Sequence, residues 1–187
     1  TPLPIGCNVT ISAPSMQAIM LDMIALHHND SLEGKRILDV GSGTGIICAY
    51  MGHCVGPNGL VVVIDHVKQL TDMSIQNLEN GNAETKEMLT SGRVELITGD
   101  GRKGHAAKAP YDAIHVGAGA PVVPADLTDQ LAPGGCLLIP VDTEAGGYQE
   151  LLLISKGSKA TGDEGKMSEK KVCDCRFVPL TDLKKQL

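Results

Sequence analysis

The feature that most constrains this chain is an apolar run that leads directly into alternating glycines. Residues 37–40 have the composition of a buried strand, and Gly41-Ser42-Gly43-Thr44-Gly45 follows them at once. Beyond the last glycine, apolar residues recur at helical spacing: Ile46, Ile47, Tyr50 and Met51. Because glycine lacks a Cβ and tolerates positive φ, such a strand–turn–helix unit lets the backbone approach a ligand closely. The unit predicts a nucleotide-like ligand but does not choose among ligands.

Composition argues against several classes of protein. The 187 residues carry a net charge of −6 and no long basic run, which argues against sequence-independent binding of nucleic acid. No apolar run is long enough to span a bilayer, and no signal-peptide pattern opens the sequence. Most of the six cysteines lie in apolar patterns, and the pair Cys173 and Cys175 lacks a zinc-type spacing. We therefore predict a cytoplasmic protein without a metal, a monomer folded as a single domain over residues 1–187.

The order of apolar segments predicts the fold class. Five predicted strands alternate with helical patterns, and two more strands follow in the tail: 37–40, 60–64, 94–98, 111–116, 136–141, 149–154 and 172–178. Helices are predicted over about 14–27, after Gly45, and over 67–78 and 125–131. Nearly continuous apolar strands need burial on both faces, which predicts an α/β fold with a mostly parallel sheet. Residues 1–14, 79–92 and 155–171 are predicted to be irregular, the last as a solvated loop.

Acidic residues follow two of these strands at the edge where open α/β sheets bind ligands. Asp65 ends the strand after the glycine turn, where a carboxylate commonly accepts ribose hydroxyls; alternatively, it caps the next helix. Asp100 ends the third strand, and Asp39 precedes the glycine turn. The glycine spacing differs from the dinucleotide fingerprint, and the P-loop lysine is absent. The site therefore favours a cationic ligand without phosphate, such as S-adenosylmethionine.

Several segments together resemble a known family. The segment 38–45 is similar to the first motif of class I S-adenosylmethionine-dependent methyltransferases. Six further segments occur in the expected order: 10–14, 65–66, 99–102, 111–118, 131–135 and 178–181. Together they resemble the protein-L-isoaspartate (D-aspartate) O-methyltransferase family of protein-repair enzymes, over essentially the whole chain except 155–171. The resemblance implies a Rossmann-like, doubly wound, seven-stranded sheet with helices on both faces. The family normally carries a further helical N-terminal segment, which is largely absent here.

The resemblance also implies roles for individual residues. The family's active-site serine falls on Ser12, which by pattern alone would instead be a helix N-cap. Contacts with S-adenosyl-L-methionine, whose product is S-adenosyl-L-homocysteine, are implied for Val9, Thr10, Ile11, Ser12, Asp39, Gly41, Gly43, Thr44, Asp65, His66, Asp100, Gly101, Thr181 and Gln186. Three positions depart from the family pattern: Gln17 stands where a histidine is common, Asn8 where Gln is usual, and Gly119 where Ala is usual.

The implied substrate is the free carboxylate of an isoaspartyl or D-aspartyl residue in a damaged protein or peptide. A carboxylate is ionised at neutral pH, so its methylation needs no strong general base. This is consistent with the sequence, in which His66 and His115 have no nucleophile beside them, and His27 and His28 are predicted to form a solvated helix end. Two alternatives remain open: a small-molecule carboxyl or O-methyltransferase on the same fold, and a cofactor-binding module without turnover.

Overall fold

The structure, a computed structural model, describes residues 2–144 and 146–187. The strands are β1 (Leu3–Gly6), β2 (Val9–Ile11), β3 (Arg36–Val40), β4 (Leu60–Asp65), β5 (Val94–Thr98), β6 (Tyr111–Val116), β7 (Leu131–Asp142), β8 (Gln149–Lys156) and β9 (Met167–Cys175). The helices are α1 (Pro14–His27), α2 (Ile46–Cys54), α3 (Lys68–Glu79), α4 (Ala83–Thr90), α5 (Ala125–Asp129) and α6 (Leu183–Gln186). Two 3-10 turns, Gly101–Lys103 and Ala106–Lys108, lie between β5 and β6.

Seven strands form one sheet in the order β5-β4-β3-β6-β7-β8-β9. The first five are parallel, and β8 and β9 are antiparallel additions at one edge. The chain reaches the β5 edge and then returns to place β6 beside β3, so the strand order reverses between β3 and β6. The predicted fold class, α/β with a mostly parallel seven-stranded sheet, is confirmed. In such a fold a ligand site is expected at this reversal.

Both faces of the sheet are covered by aliphatic cores, as the scarcity of aromatic residues predicts. One core includes Met20 and Ile24 of α1, Met51 of α2 and Met88 of α4. The other includes Leu127 of α5 and residues of β3, β4, β6 and β7. No helix in the described part of the chain combines the length and apolar character that crossing a bilayer requires.

The prediction of a loop over residues 79–92 is wrong, because helix α4 occupies most of this segment. Met88 is its buried residue, so the helix shows almost no apolar periodicity. Its start does carry a local signal: the Asn82 side chain accepts a hydrogen bond from the Thr85 backbone N–H at 2.9 Å. The remaining side chains of α4 are exposed or partly exposed, which explains why a hydrophobic pattern alone missed it.

Other boundaries also differ from the prediction. Strand β9 begins at Met167, inside the predicted 155–171 loop, and ends at Cys175 rather than 178. It is an edge strand paired only to β8, and most of its side chains are exposed, so it needs no apolar run. Residues 3–11, predicted to be irregular, form the β1–β2 hairpin, with Cys7 and Asn8 left-handed in its turn. Strand β7 begins at Leu131, and α5 ends earlier than predicted, at Asp129.

The end of α1 is tied to the sheet rather than solvated, contrary to prediction. The ring Nε2 of His27 lies 3.0 Å from the Gly134 carbonyl oxygen, and that of His28 lies 3.1 Å from the Asp112 carbonyl oxygen. Possible ligand atoms of these two rings and of Cys136 lie within 4.8 Å of one another. Burial raises the pKa of the Cys136 thiol to about 12, which opposes formation of the thiolate that a metal would bind. We propose no metal there.

Candidate active site

A cleft opens at the carboxyl ends of β3, β4 and β6, where the strand order reverses. Its empty volume is about 940 Å³, including the open mouth. All but one of the predicted site residues line it: Val9, Thr10, Ile11, Ser12, Gly41, Gly43, Thr44, Asp65, His66, Asp100, Gly101, Thr181 and Gln186. The exception is Asp39, which lies fully buried in β3. The fold therefore gathers the hairpin, the strand ends and the C-terminal tail around one space.

The glycine turn has the backbone conformation that its sequence predicts. Gly41, Gly43 and Gly45 have φ of 96°, 53° and 85°, a region that side chains with a Cβ rarely adopt. Helix α3 supports the turn from outside, since Ser74 Oγ donates to the Gly43 carbonyl oxygen and Asn77 Nδ2 to that of Thr44. The turn is thus held open as a concave backbone surface at the start of α2.

Asp65 was predicted either to accept ribose hydroxyls or to cap the next helix, and the structure shows a third role, which is to hold the glycine turn. Its Oδ2 accepts from the backbone N–H of Ser42 at 3.0 Å and from the Ser42 hydroxyl at 3.2 Å. Its Oδ1 accepts from the backbone N–H of Val67, the N-cap residue of α3, at 2.9 Å. The carboxylate therefore ties the glycine turn to the next helix. Three of the four lone-pair positions of the carboxylate are used in this way, and the one that remains, on Oδ1, can accept a ribose hydroxyl.

Asp100 is held by an arginine that sequence reasoning did not single out. Its Oδ1 accepts from Arg102 Nε at 2.9 Å and its Oδ2 from Arg102 Nη2 at 2.8 Å. The same Nη2 donates to Asp182 Oδ1 at 2.7 Å, which links the β5 end to the C-terminal tail. Hydrogen bonds from the Arg102 side chain lower the pKa of both carboxyls from their usual values. Next to this clamp, a Cβ on Gly101 would lie 2.4 Å from Val40 Cγ1, so only glycine fits there.

The C-terminal tail is fastened across the cleft at several points. Gln149 Oε1 accepts a hydrogen bond from the Phe177 backbone N–H at 2.7 Å. The Nε2 of the same amide donates to the Phe177 carbonyl oxygen at 3.4 Å. The backbone of Gly119 accepts from Leu180 and donates to the carbonyl of Val178. At the far end, Gln186 donates to the carbonyl of Cys7 in the hairpin at 3.0 Å. A further bond to the hairpin runs from Asn8 Nδ2 to the Gln186 carbonyl oxygen at 2.8 Å. The tail and the hairpin are thus bonded to each other, and both line the same cleft as the glycine turn.

Ser12 is not a helix cap in this structure. Helix α1 begins at Pro14 with Ala13 as its N-cap residue, and no side chain caps it. The Ser12 carbonyl oxygen accepts from Gln17 Nε2 at 3.0 Å, whereas its hydroxyl forms no hydrogen bond with the residues that the structure describes. A second cavity adjoins the first, and Ser12 lines both. The hydroxyl is thus a free donor at the boundary between two spaces.

Two buried polar atoms have no partner within the described residues and bear on the fit of a cofactor. They are Thr44 Oγ1, in the glycine turn, and Asp39 Oδ2, at the end of β3. A buried polar group without a partner costs free energy, so such atoms are expected to meet a polar ligand or water. Together with the glycine surface and the acids at the strand ends, they suit a ligand that carries hydroxyls and positive charge.

The family of the chain follows from comparison with known proteins. A family model described as protein-L-isoaspartate(D-aspartate) O-methyltransferase matches residues 1–185. The chain belongs to this family. Among its relatives, protein-L-isoaspartate O-methyltransferase 2 of Arabidopsis thaliana is 45% identical over 188 residues, which cover all of this chain and 56% of the relative. The enzyme of that name from Caenorhabditis elegans is 44% identical over 185 residues, covering 99% of this chain and 76% of the relative.

Solved structures agree with this family. A protein-L-isoaspartate O-methyltransferase from Plasmodium falciparum, in complex with S-adenosyl-L-homocysteine, superposes with a TM-score of 0.82 at 30% identity, covering 97% of this chain and 80% of the other. The predicted fold and family are confirmed, and this relative binds the demethylated form of the predicted cofactor. A Thermotoga maritima S-adenosylmethionine-dependent O-methyltransferase, 24% identical with a TM-score of 0.53, shares the fold alone.

Several residues that support this candidate site were missed from sequence. Arg102 lies within a quoted family segment, but nothing in its spacing indicated that it would reach Asp182, 80 residues further on. Gln149 was predicted only as a strand residue, and its bonds to Phe177 depend on how the tail folds back. The contact between His115 and Asp39 had one signal, since both lie in strands predicted to be buried, where polar side chains need partners.

Proposed function

We propose that the chain performs the reaction of its family: transfer of a methyl group from S-adenosyl-L-methionine to the free carboxylate of L-isoaspartyl or D-aspartyl residues in damaged proteins and peptides. The observation that carries this proposal is the free Ser12 hydroxyl, which lies where the two cavities meet. One cavity has the features of the cofactor site, and the other is left for the acceptor. Ser12 is then the residue that orients the acceptor carboxylate.

The cofactor is assigned to the first cavity. When bound, it supplies an electrophilic methyl group, which the acceptor oxygen takes as the methyl–sulfur bond breaks, leaving a methyl ester and S-adenosyl-L-homocysteine. Asp65 would accept a ribose hydroxyl through Oδ1, and the glycine turn with Thr44 would face the remaining polar groups. The other proposed contacts come from the hairpin, the strand ends and the tail: Val9, Thr10, Ile11, His66, Asp100, Gly101, Thr181 and Gln186.

What the protein contributes to catalysis is orientation and exclusion of water. The acceptor carboxylate is ionised at neutral pH, so no residue needs to remove a proton from it. Ser12 would donate its hydroxyl hydrogen to one carboxylate oxygen and leave the other oxygen aimed at the methyl group. The tail and the hairpin, which are bonded to each other, would keep water from the reacting atoms. Positioning of this kind accounts for a large share of the rate enhancement in transfer reactions.

The second cavity is the place that we propose for the acceptor polypeptide. It is lined by residues of the hairpin, the start of α1 and the segment after β9: Pro2, Thr10, Ser12, Ala13, Ser15, Met16, Gly117, Arg176, Phe177 and Val178. Arg176 is the charged side chain in this lining, and it forms no ion pair with the residues that the structure describes. A positive group at this place suits an anionic acceptor approaching a protein whose net charge is −6.

Replacing Ser12 tests this assignment directly. In Ser12→Ala we expect kcat on an isoaspartyl peptide to fall about tenfold to a hundredfold, because orientation is lost, with the Kd of S-adenosyl-L-homocysteine unchanged. Ser15→Ala is the matched control, since Ser15 lines the second cavity but not the first. Labelled methyl transferred to the isoaspartyl peptide, but not to its normal aspartyl twin, would exclude a small-molecule methyltransferase. Unchanged turnover in Ser12→Ala would refute the role of Ser12.

The setting in which the chain acts is part of the proposal. We propose a cytoplasmic monomer with one methyltransferase domain, which does not bind nucleic acid. Six free cysteines support a reducing compartment, and the acidic net charge argues against a nucleic-acid partner. Size-exclusion chromatography with light scattering tests the oligomeric state: a mass near 19.6 kDa is expected, and a doubled mass would contradict the monomer.

A further inference from the structure

A buried acid–imidazole pair lies behind the wall of the cofactor cleft. Asp39 and His115 are direct neighbours across the parallel strands β3 and β6. Their side chains are 0% and 3% exposed. His115 also lines the cleft, whereas Asp39 lies behind it. The pair is thus sealed from solvent on the sheet side and reaches the cleft through the imidazole.

The geometry fixes the roles of the ring nitrogens. His115 Nδ1 lies 2.6 Å from Asp39 Oδ1, so Nδ1 carries the hydrogen and the carboxylate accepts it. On the other side of the ring, Nε2 lies 3.4 Å from the sulfur of Met20. The second carboxylate oxygen, Asp39 Oδ2, has no partner among the residues that the structure describes. The imidazole is therefore the side chain that holds this carboxylate.

Burying a carboxylate in this way is unfavourable unless its charge is compensated. One hydrogen bond from a single imidazole offsets only part of that cost. A cationic ligand in the adjacent cleft would offset more, because a charge in a low-dielectric wall is screened less than a charge in water. S-adenosylmethionine carries two positive groups, its sulfonium and its ammonium, and a carboxylate beside the ammonium. The Asp39 carboxylate behind the wall would attract the ammonium and repel the ligand's carboxylate, and would thereby orient the amino-acid end.

We propose that His115 is a positioning residue for the cofactor: its contact with Asp39 orients that buried carboxylate so that it attracts the ammonium group at the amino-acid end of S-adenosylmethionine. This inference rests on the proposed function, because it takes the first cavity as the cofactor site. It differs from a purely structural role in one respect. A structural role would affect every adenosine ligand alike, whereas an orienting role affects only those ligands that carry the ammonium group.

The test compares two ligands by isothermal titration calorimetry. S-adenosyl-L-homocysteine carries the ammonium group, and 5′-methylthioadenosine shares its adenosine and sulfur but lacks the amino-acid end. In His115→Leu we expect the Kd of S-adenosyl-L-homocysteine to rise about tenfold or more, while that of methylthioadenosine changes less than about twofold. In His115→Asn, whose amide nitrogen can replace Nδ1, most of the affinity for S-adenosyl-L-homocysteine should return. Asp39→Asn should behave like His115→Leu.

Each result then has a defined meaning. Equal loss of affinity for both ligands in His115→Leu, or no rescue by His115→Asn, would overturn the inference. So would unchanged binding of S-adenosyl-L-homocysteine in His115→Leu. If His115→Leu does not fold by circular dichroism, His115→Gln replaces it, because its longer amide reaches the Nε2 rather than the Nδ1 position and should lose the same selectivity. Failure of the wild-type chain to bind S-adenosyl-L-homocysteine would refute the proposed function itself.

Discussion

The tail is expected to depend on a glycine that departs from the family pattern. The φ of Gly119 is not in the left-handed region, so its backbone would accept alanine. A Cβ there would lie 2.0 Å from Gln149 Nε2, and its three nearest atoms all belong to the Gln149 amide. That amide is the group that holds Phe177 and the start of the tail. Gly119→Ala should therefore displace Gln149 and loosen the tail.

The magnitude follows from the bonds that Gln149 makes. Its amide takes part in three hydrogen bonds, two with the Phe177 backbone and one with Asp142, and its side chain is buried. At about 1 kcal/mol for each bond, displacement should lower the free energy of unfolding by about 1–3 kcal/mol. In a Gln149→Ala background the space is free. There, Gly119→Ala should raise the free energy of unfolding by about 0.4–1 kcal/mol, because it restricts the unfolded chain.

The assay is a double-mutant cycle of Gly119→Ala and Gln149→Ala, measured by urea unfolding and by thermal melts. For a chain of this length, each kcal/mol corresponds to a Tm shift of about 2–4 °C. The single Gly119→Ala variant should melt lower than wild type, and the double variant should melt higher than Gln149→Ala alone. Additive effects of the two substitutions, with Gly119→Ala destabilising both backgrounds equally, would refute the steric reasoning.

Two further predictions concern charged groups. Arg102→Met should raise the KM for cofactor several-fold, because the tail loses its link to β5, and should lower the Tm at neutral pH. Since Arg102 lowers the pKa of Asp100 and Asp182, its contribution is present above the unfolded carboxyl pKa of about 4 and is lost as the pH falls. The Tm difference between wild type and variant should therefore narrow below about pH 4, and a constant difference down to pH 2 would contradict this cause. Separately, Arg176→Glu should raise the KM several-fold for isoaspartyl peptides with a neighbouring acid and leave the KM for cofactor unchanged, with the effect weakening at high salt. Lys170→Glu, on exposed β9, is the control, and an equal rise in KM for this variant would argue against a local role of Arg176.

The sequence predicted the central elements well because they obey local rules. Strands β5 and β6 match their predicted bounds, and β3 and β4 match theirs to within a residue. Buried parallel strands must be apolar, so composition alone marks them. Helix α4 was missed, and the predicted bounds of strand β9 were wrong, for the opposite reason. Their side chains are largely exposed, and hydrogen bonding and pairing to neighbours, rather than apolar pattern, define them.

The cleft residues of the hairpin and the tail were implied only by the family resemblance. Without it, the sequence determined the α/β class, the glycine turn and the acids at the strand ends. These depend on strand burial, on backbone freedom at Gly41 to Gly45 and on the rule that parallel strands present their carboxyl ends at one edge. Only the tertiary structure decided which of those residues are free to meet a ligand. It showed that Asp65 and Asp100 are already bonded within the protein, that the Ser12 hydroxyl has no partner among the described residues, and that Asp39 lies behind His115. The physical reason is that hydrogen-bond partners are chosen by distance in the folded chain, and partners 76 or 80 residues apart leave no local trace in the sequence.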